Sequence, residues 1–492
     1  MYNYHFAFKV FITLLFAGSS YSIAAQNNPK YNNEIEDKIK QVENKLGGWL
    51  HIQDSVNEWN LQQRMEFYHI RGLSIAVVHH YTIEWARGYG IVDTATKKPV
   101  TIQTLFQAGS ISKSLNGVGV LKLVQDKKID LNTDINNYLH SWKFPYDSLS
   151  KGKKITIANL LSHTAGLTLH GFPGYKRGDT IPSIPEVLNG KPPANTEPIR
   201  SQFEPGLRFQ YSGGGTTISQ LIVMDVTHRP YDAYMWNNVL KPLGMNMSSY
   251  TQPPSADKQK FLATGYRSDG KEVEGEYHIY PEQAAAGLWT NPTDLSKYII
   301  ETQLSLQGRS NKVLSQQMTE LRLTPYIDSN AAFGVFIEKK GNEKYFGHNG
   351  ADEGFLSVYT GSFENGNGVV VMVNSDNGSI LNEVVNSVAS VYGWKDYYKP
   401  VIKKMVTIAD SLLDAYEGNY FLEGDTINIS RKRNEVLLTI NRIQTFPIFF
   451  SSPEDFFAKD IPLEFRFEKD PTGKVKDFYF KQGTREMRAK RL

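Results

Sequence analysis

Ser110 and Lys113 are the pair of residues in this sequence whose types and spacing best suit nucleophilic catalysis. Residues three apart on a helix lie on one face, so the lysine amine can reach the serine hydroxyl. A neutral amine in that position acts as a general base and turns a weak nucleophile into an effective one. We therefore expect Ser110 to be a nucleophile and Lys113 to serve as its base.

The helix that must position this pair is predicted to be enclosed by the protein. It begins at Gly109-Ser110 and runs from Ile111 to about Gln125, with apolar residues on both sides. Burial disfavours the charged form of a lysine, and backbone N–H groups at a helix start favour a developing anion. The same spacing recurs in polar stretches without such a helix, which indicates solvated loops, at Ser148/Lys151, Ser150/Lys153 and Ser255/Lys258.

Two further motifs are able to complete a site around this pair. Tyr211-Ser212-Gly213 precedes two more glycines, and a tyrosine near a lysine can shuttle protons. Gly347-His348-Asn349-Gly350-Ala351 lies next to predicted strands, where glycine lets a substrate approach a strand edge. His348 could hold substrate or relay a proton. Each motif taken alone is more typical of a structural role, as a core aromatic or a structural histidine.

In this order and spacing, the three motifs together resemble the serine β-lactamase and penicillin-binding-protein superfamily. The similarity is greatest to the class C β-lactamase-related branch of esterases and D-aminopeptidases, and it covers about residues 45–395. It implies an α+β fold of the β-lactamase/transpeptidase type, an antiparallel sheet flanked by helices plus an all-helical region. Four further stretches share the resemblance: Thr104–Phe106, Leu160–Leu167, Lys241–Met245 and Gly287–Leu295.

The resemblance implies a role for each motif residue. Ser110 would be acylated, and Lys113 and Tyr211 would share the general base and acid work. The backbone N–H groups of Ser110 and Ala351 would form the oxyanion hole, where one donor is commonly worth roughly 3 kcal/mol of barrier. The resemblance also implies that His348, Gly350 and Gly213 lie at the substrate. His348 takes the position of the usual lysine.

Two departures from the family pattern argue against β-lactamase activity. Gly213 stands where β-lactamases usually carry an asparagine whose amide helps to hold the substrate. His348 lacks the fixed charge that a lysine offers to a β-lactam carboxylate. We expect a serine hydrolase that forms an acyl-enzyme on Ser110 and cleaves small esters or peptide amides, with D-amino-acid or peptidoglycan-derived compounds as candidates. A true β-lactamase and an inactive module that binds cell-wall fragments remain the alternatives.

Residues outside the motifs give weaker indications. His163 belongs to a family segment that usually packs beneath the site, so we interpret it as structural. The Gly- and Pro-rich stretch Thr168–Glu204 is predicted to be a long ordered loop that forms part of the pocket wall, and surface positions are more typical of its residues than pocket positions. Its candidate residues are His170, Tyr175 and Arg177. Asp352 and the adjacent Glu353 would either meet a substrate amine or lie in a solvated turn.

The remaining secondary structure is predicted from periodicity and turn signals. An amphipathic helix should end at Gly47-Gly48, and a small all-β domain should begin near Asp410. Strands are predicted at Leu73–His79, Thr82–Tyr89, Ala332–Ile337, Leu356–Tyr359, Gly368–Val373, Thr426–Ser430, Val436–Ile440, Pro447–Phe450, Leu463–Glu468 and Val475–Phe480, and helices at Thr216–Val226 and Tyr231–Leu240.

The N-terminus resembles a secretory signal. Lys9 precedes the apolar run Val10–Ala17, and cleavage is expected after Ala24 or Ala25. The run is too short to span a bilayer, which needs roughly 20 apolar residues. We therefore predict a signal peptide over residues 1–25, a hydrolase domain over 26–398, a β-rich domain over 399–492, and a secreted, periplasmic bacterial protein.

Composition excludes several classes of function. The net charge of +3 is too small to indicate nucleic acid or an anionic membrane as the main partner. Cysteine is absent, which rules out disulfides and thiolate chemistry. No GxSxG elbow, HExxH motif, P-loop or dinucleotide fingerprint occurs. We expect no cofactor, no metal and no membrane span. A small ester or peptide substrate is the expected partner, and the oligomeric state stays open.

Overall fold

The computed structural model describes residues 28–492 apart from 423, 433–434, 442–443, 460–462 and 483–484. The predicted signal segment over residues 1–25 lies outside this range. No helix in the described part of the chain has the length and apolar composition needed to cross a membrane.

A six-stranded antiparallel sheet organises the larger part of the molecule. Its strands are β2 (Gly72–His79), β3 (Thr82–Gly90), β6 (Phe336–Lys340), β7 (Glu343–Asp352), β8 (Phe355–Ser362) and β9 (Gly368–Val373). They lie side by side in the order β3-β2-β9-β8-β7-β6, so β6 forms one edge. Two small sheets accompany it: β1 (Leu50–Ile52) pairs in parallel with β10 (Val401–Lys403), and β4 (Phe106–Gln107) pairs antiparallel with β5 (Trp289–Thr290).

Helices cover both faces of the six-stranded sheet. Because side chains alternate along a strand, adjacent residues of β9 belong to different cores. Val371 joins the core beneath the helices Asn33–Asn44 and Ser379–Val391, and Met372 joins the core shared with the helical region. The helices are α1 (Asn33–Asn44), α2 (Leu61–Phe67), α3 (Ser112–Gln125), α4 (Ile157–Leu161), α5 (Ile184–Asn189), α6 (Gly213–Thr227), α7 (Tyr231–Met235), α8 (Lys241–Leu243), α9 (Gln283–Ala286), α10 (Pro292–Leu306), α11 (Gln316–Arg322) and α12 (Ser379–Val391).

The C-terminal part is a closed eight-stranded antiparallel barrel. A short helix, α13 (Asp410–Tyr416), precedes it, and the first strand pairs with the last to close it. The barrel core is packed with aromatic rings; the ring centroids of Tyr416 and Phe467 lie 3.8 Å apart. The strands are β11 (Gly418–Leu422), β12 (Asp425–Lys432), β13 (Glu435–Ile440), β14 (Gln444–Phe450), β15 (Asp455–Ala458), β16 (Glu464–Lys469), β17 (Val475–Gln482) and β18 (Arg485–Arg491).

This architecture confirms the predicted α+β fold of the β-lactamase/transpeptidase type with a C-terminal all-β domain. Several individual elements differ from prediction. The third motif lies within β7 itself, a strand that we did not predict because its glycines and charges hide the alternating pattern. The predicted strand from Ala332 begins only at Phe336, and the predicted loop Thr168–Glu204 contains α5. The short barrel strands β11, β15 and β18 were not predicted.

Candidate active site

Ser110 lies in a single 3-10 turn, Gly109–Ile111, that leads directly into α3. Gly109 has φ +51°, and a Cβ atom there would lie 2.4 Å from the backbone nitrogen of Ala351. Only glycine fits this position without strain, since the conformation is left-handed and the space is closed. The turn therefore places Ser110 beside the backbone of β7, where the third motif lies.

Lys113 is one helical turn beyond Ser110, and the structure brings the two side chains into contact. Nζ of Lys113 lies 2.9 Å from Oγ of Ser110 and 2.7 Å from the carbonyl oxygen of Ala285 in α9. The lysine is only 4% exposed because α3 is surrounded on all sides, as its apolar composition indicates. The carbonyl and the hydroxyl together fix the amine at the nucleophile.

Tyr211 stands beside this pair. Its ring centroid is 5.0 Å from Nζ of Lys113, and the ring lies between the imidazoles of His163 and His170 at centroid distances of 4.3 and 4.8 Å. Its hydroxyl makes no hydrogen bond within the described residues, so it is available to a substrate. The neighbouring Ser212 caps α6 by accepting a hydrogen bond from the N–H of Gly215 at 3.0 Å, which anchors the tyrosine's backbone.

His163 supports the tyrosine from below. Its Nδ1 accepts a hydrogen bond from the backbone N–H of Ser212 at 3.2 Å. Burial, and then the charge of Lys113, hold the pKa of His163 well below its usual value, so this imidazole is neutral. These contacts agree with a structural interpretation of His163.

His348 lines the site from β7 and is also neutral. Burial is the main cause, and the nearby charge of Lys113 adds to it; together they lower the pKa of His348 to about 3. Its Nδ1 lies 2.6 Å from the carbonyl oxygen of Asn349, and its enclosed Nε2 has no hydrogen-bond partner among the described residues. Gly350, two residues on, packs so tightly that a Cβ atom there would lie 1.9 Å from the carbonyl oxygen of Ala108.

The motif residues meet at a cavity of about 510 Å³. Five of the sequence-predicted site residues line it, together with one loop candidate: Ser110, Tyr211, His348, Gly350, Ala351 and His170. Asn349 of the third motif also lines the cavity, although sequence reasoning assigned it no role. Sequence reasoning missed the rest of the wall, since no local pattern marks these as site residues: Phe336, Leu356, Ser357, Val358, Gly378, Leu381 and Asn382.

Gly213, Tyr175 and Arg177 are among the residues named from the sequence that lie away from the cavity wall. Gly213 starts α6, and its N–H donates to the carbonyl of His170 at 3.0 Å. Tyr175 is buried and accepts a hydrogen bond from the N–H of Asn195, while Arg177 forms a surface ion pair with Glu276. Of the loop candidates, only His170 reaches the cavity.

Two carboxyl groups are buried near Ser110, and burial raises the pKa of both. Burial raises the pKa of Glu282 to about 8, and neither of its oxygens has a hydrogen-bond partner in the described part of the chain. Burial also raises the pKa of Asp352 well above its usual value, although the N–H of Gly109 and the charge of Lys113 oppose this. Asp352 therefore lies in neither of the two predicted environments, whereas Glu353 pairs at the surface with Arg267.

A family model described as "Beta-lactamase" matches residues 58–384, about two thirds of the chain, and this span includes all the motifs above. The chain belongs to the beta-lactamase family. No group of three or more histidine, cysteine or carboxylate side chains that could hold a metal ion occurs within the described residues.

Relatives of this beta-lactamase-family protein include "Protein flp" of Staphylococcus aureus (strain N315), 28% identical over 414 residues that cover 78% of each chain. Among solved structures, the octameric penicillin-binding protein homologue from Pyrococcus abyssi superposes with a TM-score of 0.59 at 20% identity, covering 87% of this chain and 98% of that one. D-amino acid amidase from Ochrobactrum anthropi SV3 gives 0.56 at 20% identity, covering 73% and 98%. At these identities the structures show a shared fold.

Proposed function

We propose that the protein is a serine hydrolase that works through an acyl-enzyme on Ser110. The observation that carries this proposal is the 2.9 Å contact between Nζ of Lys113 and Oγ of Ser110 at the wall of the cavity. The serine–lysine pairs with the same spacing at Ser148/Lys151, Ser150/Lys153 and Ser255/Lys258 have no comparable enclosed helix. Membership of the beta-lactamase family supports the same chemistry.

In the proposed reaction, Oγ of Ser110 attacks the substrate carbonyl while the amine of Lys113 acts as general base and takes the hydroxyl proton. The backbone N–H groups of Ser110 and Ala351 stabilise the negative charge on the carbonyl oxygen. Collapse of this intermediate breaks the bond to the alcohol or amine, which leaves with a proton delivered through Lys113 and Tyr211. Water then attacks the acyl carbon, and its proton returns by the same groups to Ser110 as the acid departs.

The charge of the cavity favours substrates without a carboxylate next to the reacting bond. His348 is neutral, and Gly213 contributes no side chain, so neither offers the contacts that β-lactams use in the wider family. We infer that small esters and peptide amides, including D-amino-acid amides, are better substrates than β-lactams. The D-amino acid amidase with the same fold makes the amide class worth testing first.

A labelling experiment tests this function. A fluorophosphonate probe should label the purified protein at Ser110, and Ser110→Ala should remove the label. Ser255→Ala is the matched control because Ser255 has the same spacing to a lysine but hydrogen-bonds to Asp257 in an exposed loop. Label retained in Ser110→Ala would overturn the proposal. Binding of wall fragments with neither label nor turnover would favour the inactive module.

We also propose that residues 1–25 direct export and are removed, which leaves the hydrolase portion 26–398 and the β-rich portion 399–492. N-terminal sequencing of the exported protein should begin at Ala25 or Gln26. An N-terminal sequence that begins at residue 1 would contradict the proposed removal of the segment.

A further inference from the structure

The cavity at the nucleophile reaches both faces of the six-stranded sheet. Gly350 of β7 pairs with Ser357 of β8, whose Oγ donates a hydrogen bond to the carbonyl oxygen of Ala108 at 3.1 Å. This face is therefore the one turned towards the nucleophile. The adjacent pair, Ala351 and Leu356, lies on the opposite face, because neighbouring side chains of a strand alternate. Both pairs line the same cavity.

The cavity passes from one face to the other at an open edge of β7. Strand β6 pairs with β7 only as far as Gly347, which stands opposite Phe336. Beyond Gly347, no strand in the described part of the chain lies beside β7 on this side. A group attached to a carbonyl at the N–H of Ala351 therefore has a continuous route to the far face of the sheet.

The half of the cavity on that face, which we call the far half, has an apolar floor. Leu356 and Val358 of β8 and Leu381 of α12 form this floor. Val358 and Leu381 belong to one buried core, and Leu356 packs against it. Leu356 and Val358, two residues apart on one strand, are about 7 Å apart, which an extended chain of roughly six carbons spans. Each methylene buried there should improve binding about fourfold.

The cavity wall has no charge with which to hold an ionic group. Among the described residues, no lysine, arginine, aspartate or glutamate lines it. The exposed side chains of Asn349 and Asn382 form the rim of the far half, and they are polar but uncharged. A charged group at the end of an acyl chain would lose hydration in the far half without gaining an ionic partner.

The proposed reaction decides which part of the substrate enters the far half. The leaving group takes its proton through Lys113 and Tyr211, so it lies at the Tyr211 end of the cavity. Ala351, the second donor of the oxyanion hole, pairs with Leu356 at the opposite end. The acyl group lies across the carbonyl from the leaving group and therefore points to the far half.

We propose that the far half of the Ser110 cavity is a subsite for an uncharged aliphatic acyl group of about four to six carbons. The inference rests on the proposed serine hydrolase function and adds a substrate class to it. Leu356, Val358 and Leu381 are the residues that determine this specificity. Acyl groups that end in a charge are poor substrates even when their length fits.

Steady-state kinetics with a set of p-nitrophenyl esters tests the subsite. The value of kcat/KM should rise about tenfold from acetate to butyrate, which is two methylenes longer, and should remain as high for hexanoate. The p-nitrophenyl monoester of adipic acid has the carbon chain of hexanoate with a carboxylate at its end, and the 6-aminohexanoate ester ends in an ammonium group. Both should react at least about tenfold more slowly than hexanoate.

Two leucine variants locate the chain preference. Leu356→Ala and Leu381→Ala should each lower the ratio of kcat/KM for hexanoate to that for acetate at least about fivefold, because part of the floor is lost. Leu306→Ala is the matched control, since Leu306 is half-buried against the helical core and does not line the cavity. It should change the ratio less than twofold. The ratio is taken within one protein, so a partial loss of folded enzyme leaves it unchanged.

Charges placed at the rim test the charge preference. Asn382→Lys should raise the rate on the adipate ester relative to hexanoate about threefold, and Asn382→Asp should lower it, because the carboxylate of the substrate lies beside this position. Asn342→Lys, in an exposed turn that does not line this cavity, is the control and should leave the relative rate unchanged.

Three results would overturn the subsite. They are equal kcat/KM values for acetate and hexanoate, an adipate ester that reacts as well as hexanoate, or a Leu306→Ala variant that shifts the ratio as much as Leu356→Ala and Leu381→Ala. Absence of both Ser110 labelling and ester turnover is a different result, because it would overturn the hydrolase function and the subsite with it.

Discussion

The two parts of the chain bury polar groups in opposite ways. Around Ser110, the interior holds Lys113, His348, Asp352 and Glu282, all at most 7% exposed, and three of these have buried polar atoms without a partner. In the described part of the barrel, Asp477 is the one buried charged or polar side chain. It is bonded to Arg488 and to the backbone N–H of Arg491.

We interpret the region around Ser110 as suited to catalysis and the barrel as suited to stability. An unpaired buried polar group typically lowers stability by about 1–3 kcal/mol, so a fold retains several of them in one place only where they serve function. The barrel core consists of aromatic rings and aliphatic side chains packed against one another, which stabilises it without such groups.

The largest effect should follow removal of the amine that contacts Ser110. We expect Lys113→Ala to lower kcat/KM for p-nitrophenyl acetate by about 10³- to 10⁴-fold, because the serine loses its general base. Lys113→Arg should be comparably inactive, since arginine cannot be deprotonated and therefore cannot act as a base. Steady-state kinetics checks this, with Lys476→Ala on the barrel as the control that keeps full activity. Activity of Lys113→Ala within tenfold of wild type would contradict the interpretation that the buried polar groups around Ser110 serve catalysis.

Glu282 should make the hydrolase portion sensitive to alkaline pH. Its pKa is about 8 in the folded protein and near 4.5 when exposed, so the unfolded chain loses a proton that the folded chain retains. The contribution of Glu282 to stability is therefore greatest below pH 4.5 and falls as the pH rises towards 8. Above pH 8, Glu282→Gln should be more stable than wild type by up to about 5 kcal/mol.

Urea unfolding at pH 5 and pH 9 checks this expectation. The exposed Glu272→Gln provides the control, for which no such difference should appear. An equal effect of Glu282→Gln at both pH values would show that the carboxyl is not held protonated by burial.

Barrel stability should depend on ring packing alone. Phe478 is fully buried, with the ring of Tyr420 at 4.9 Å and that of Phe465 at 5.6 Å. Phe478→Ala should lower the free energy of unfolding by about 3–5 kcal/mol, because a large cavity replaces the ring. Circular dichroism during thermal unfolding measures the loss. Probe labelling of Ser110 at 25 °C should persist, and its disappearance in a still-folded variant would contradict the separation of roles.

The smallest expected effect concerns substrate choice. Because its pKa is about 3, His348 should stay neutral from pH 5 to 8 and contribute no step to the pH profile of kcat/KM. His348→Lys adds a cation to the cavity and should raise nitrocefin hydrolysis relative to p-nitrophenyl acetate hydrolysis by about tenfold. His348→Gln, which adds no charge, is the control. A similar gain in His348→Gln would show that charge is not the determinant.

The sequence predicts those parts of the site that depend on local pattern. The Ser110–Lys113 contact follows from helical spacing and an apolar helix, and α3, β2, β9 and most barrel strands follow from periodicity. Strand β7 was not predicted, because its glycines Gly347 and Gly350 are set by close contacts with Tyr359 and Ala108 that only the folded chain contains.

Tertiary contacts also explain the residues that sequence reasoning missed. Glu282 precedes a short alanine-rich helix, and nothing local indicates that it is fully buried. Phe336 and Asn382 reach the cavity from β6 and α12, elements far apart in the chain.

The most direct test of the account is detection of the acyl-enzyme. Purified protein mixed with excess p-nitrophenyl acetate and quenched within the first turnovers should gain about 42 Da, the mass of one acetyl group replacing a proton. Peptide mapping should place this mass on Ser110, and the pre-steady-state burst of p-nitrophenol should match one equivalent per chain. Hydrolysis with no burst and no added mass, or an adduct on another residue, would contradict the account.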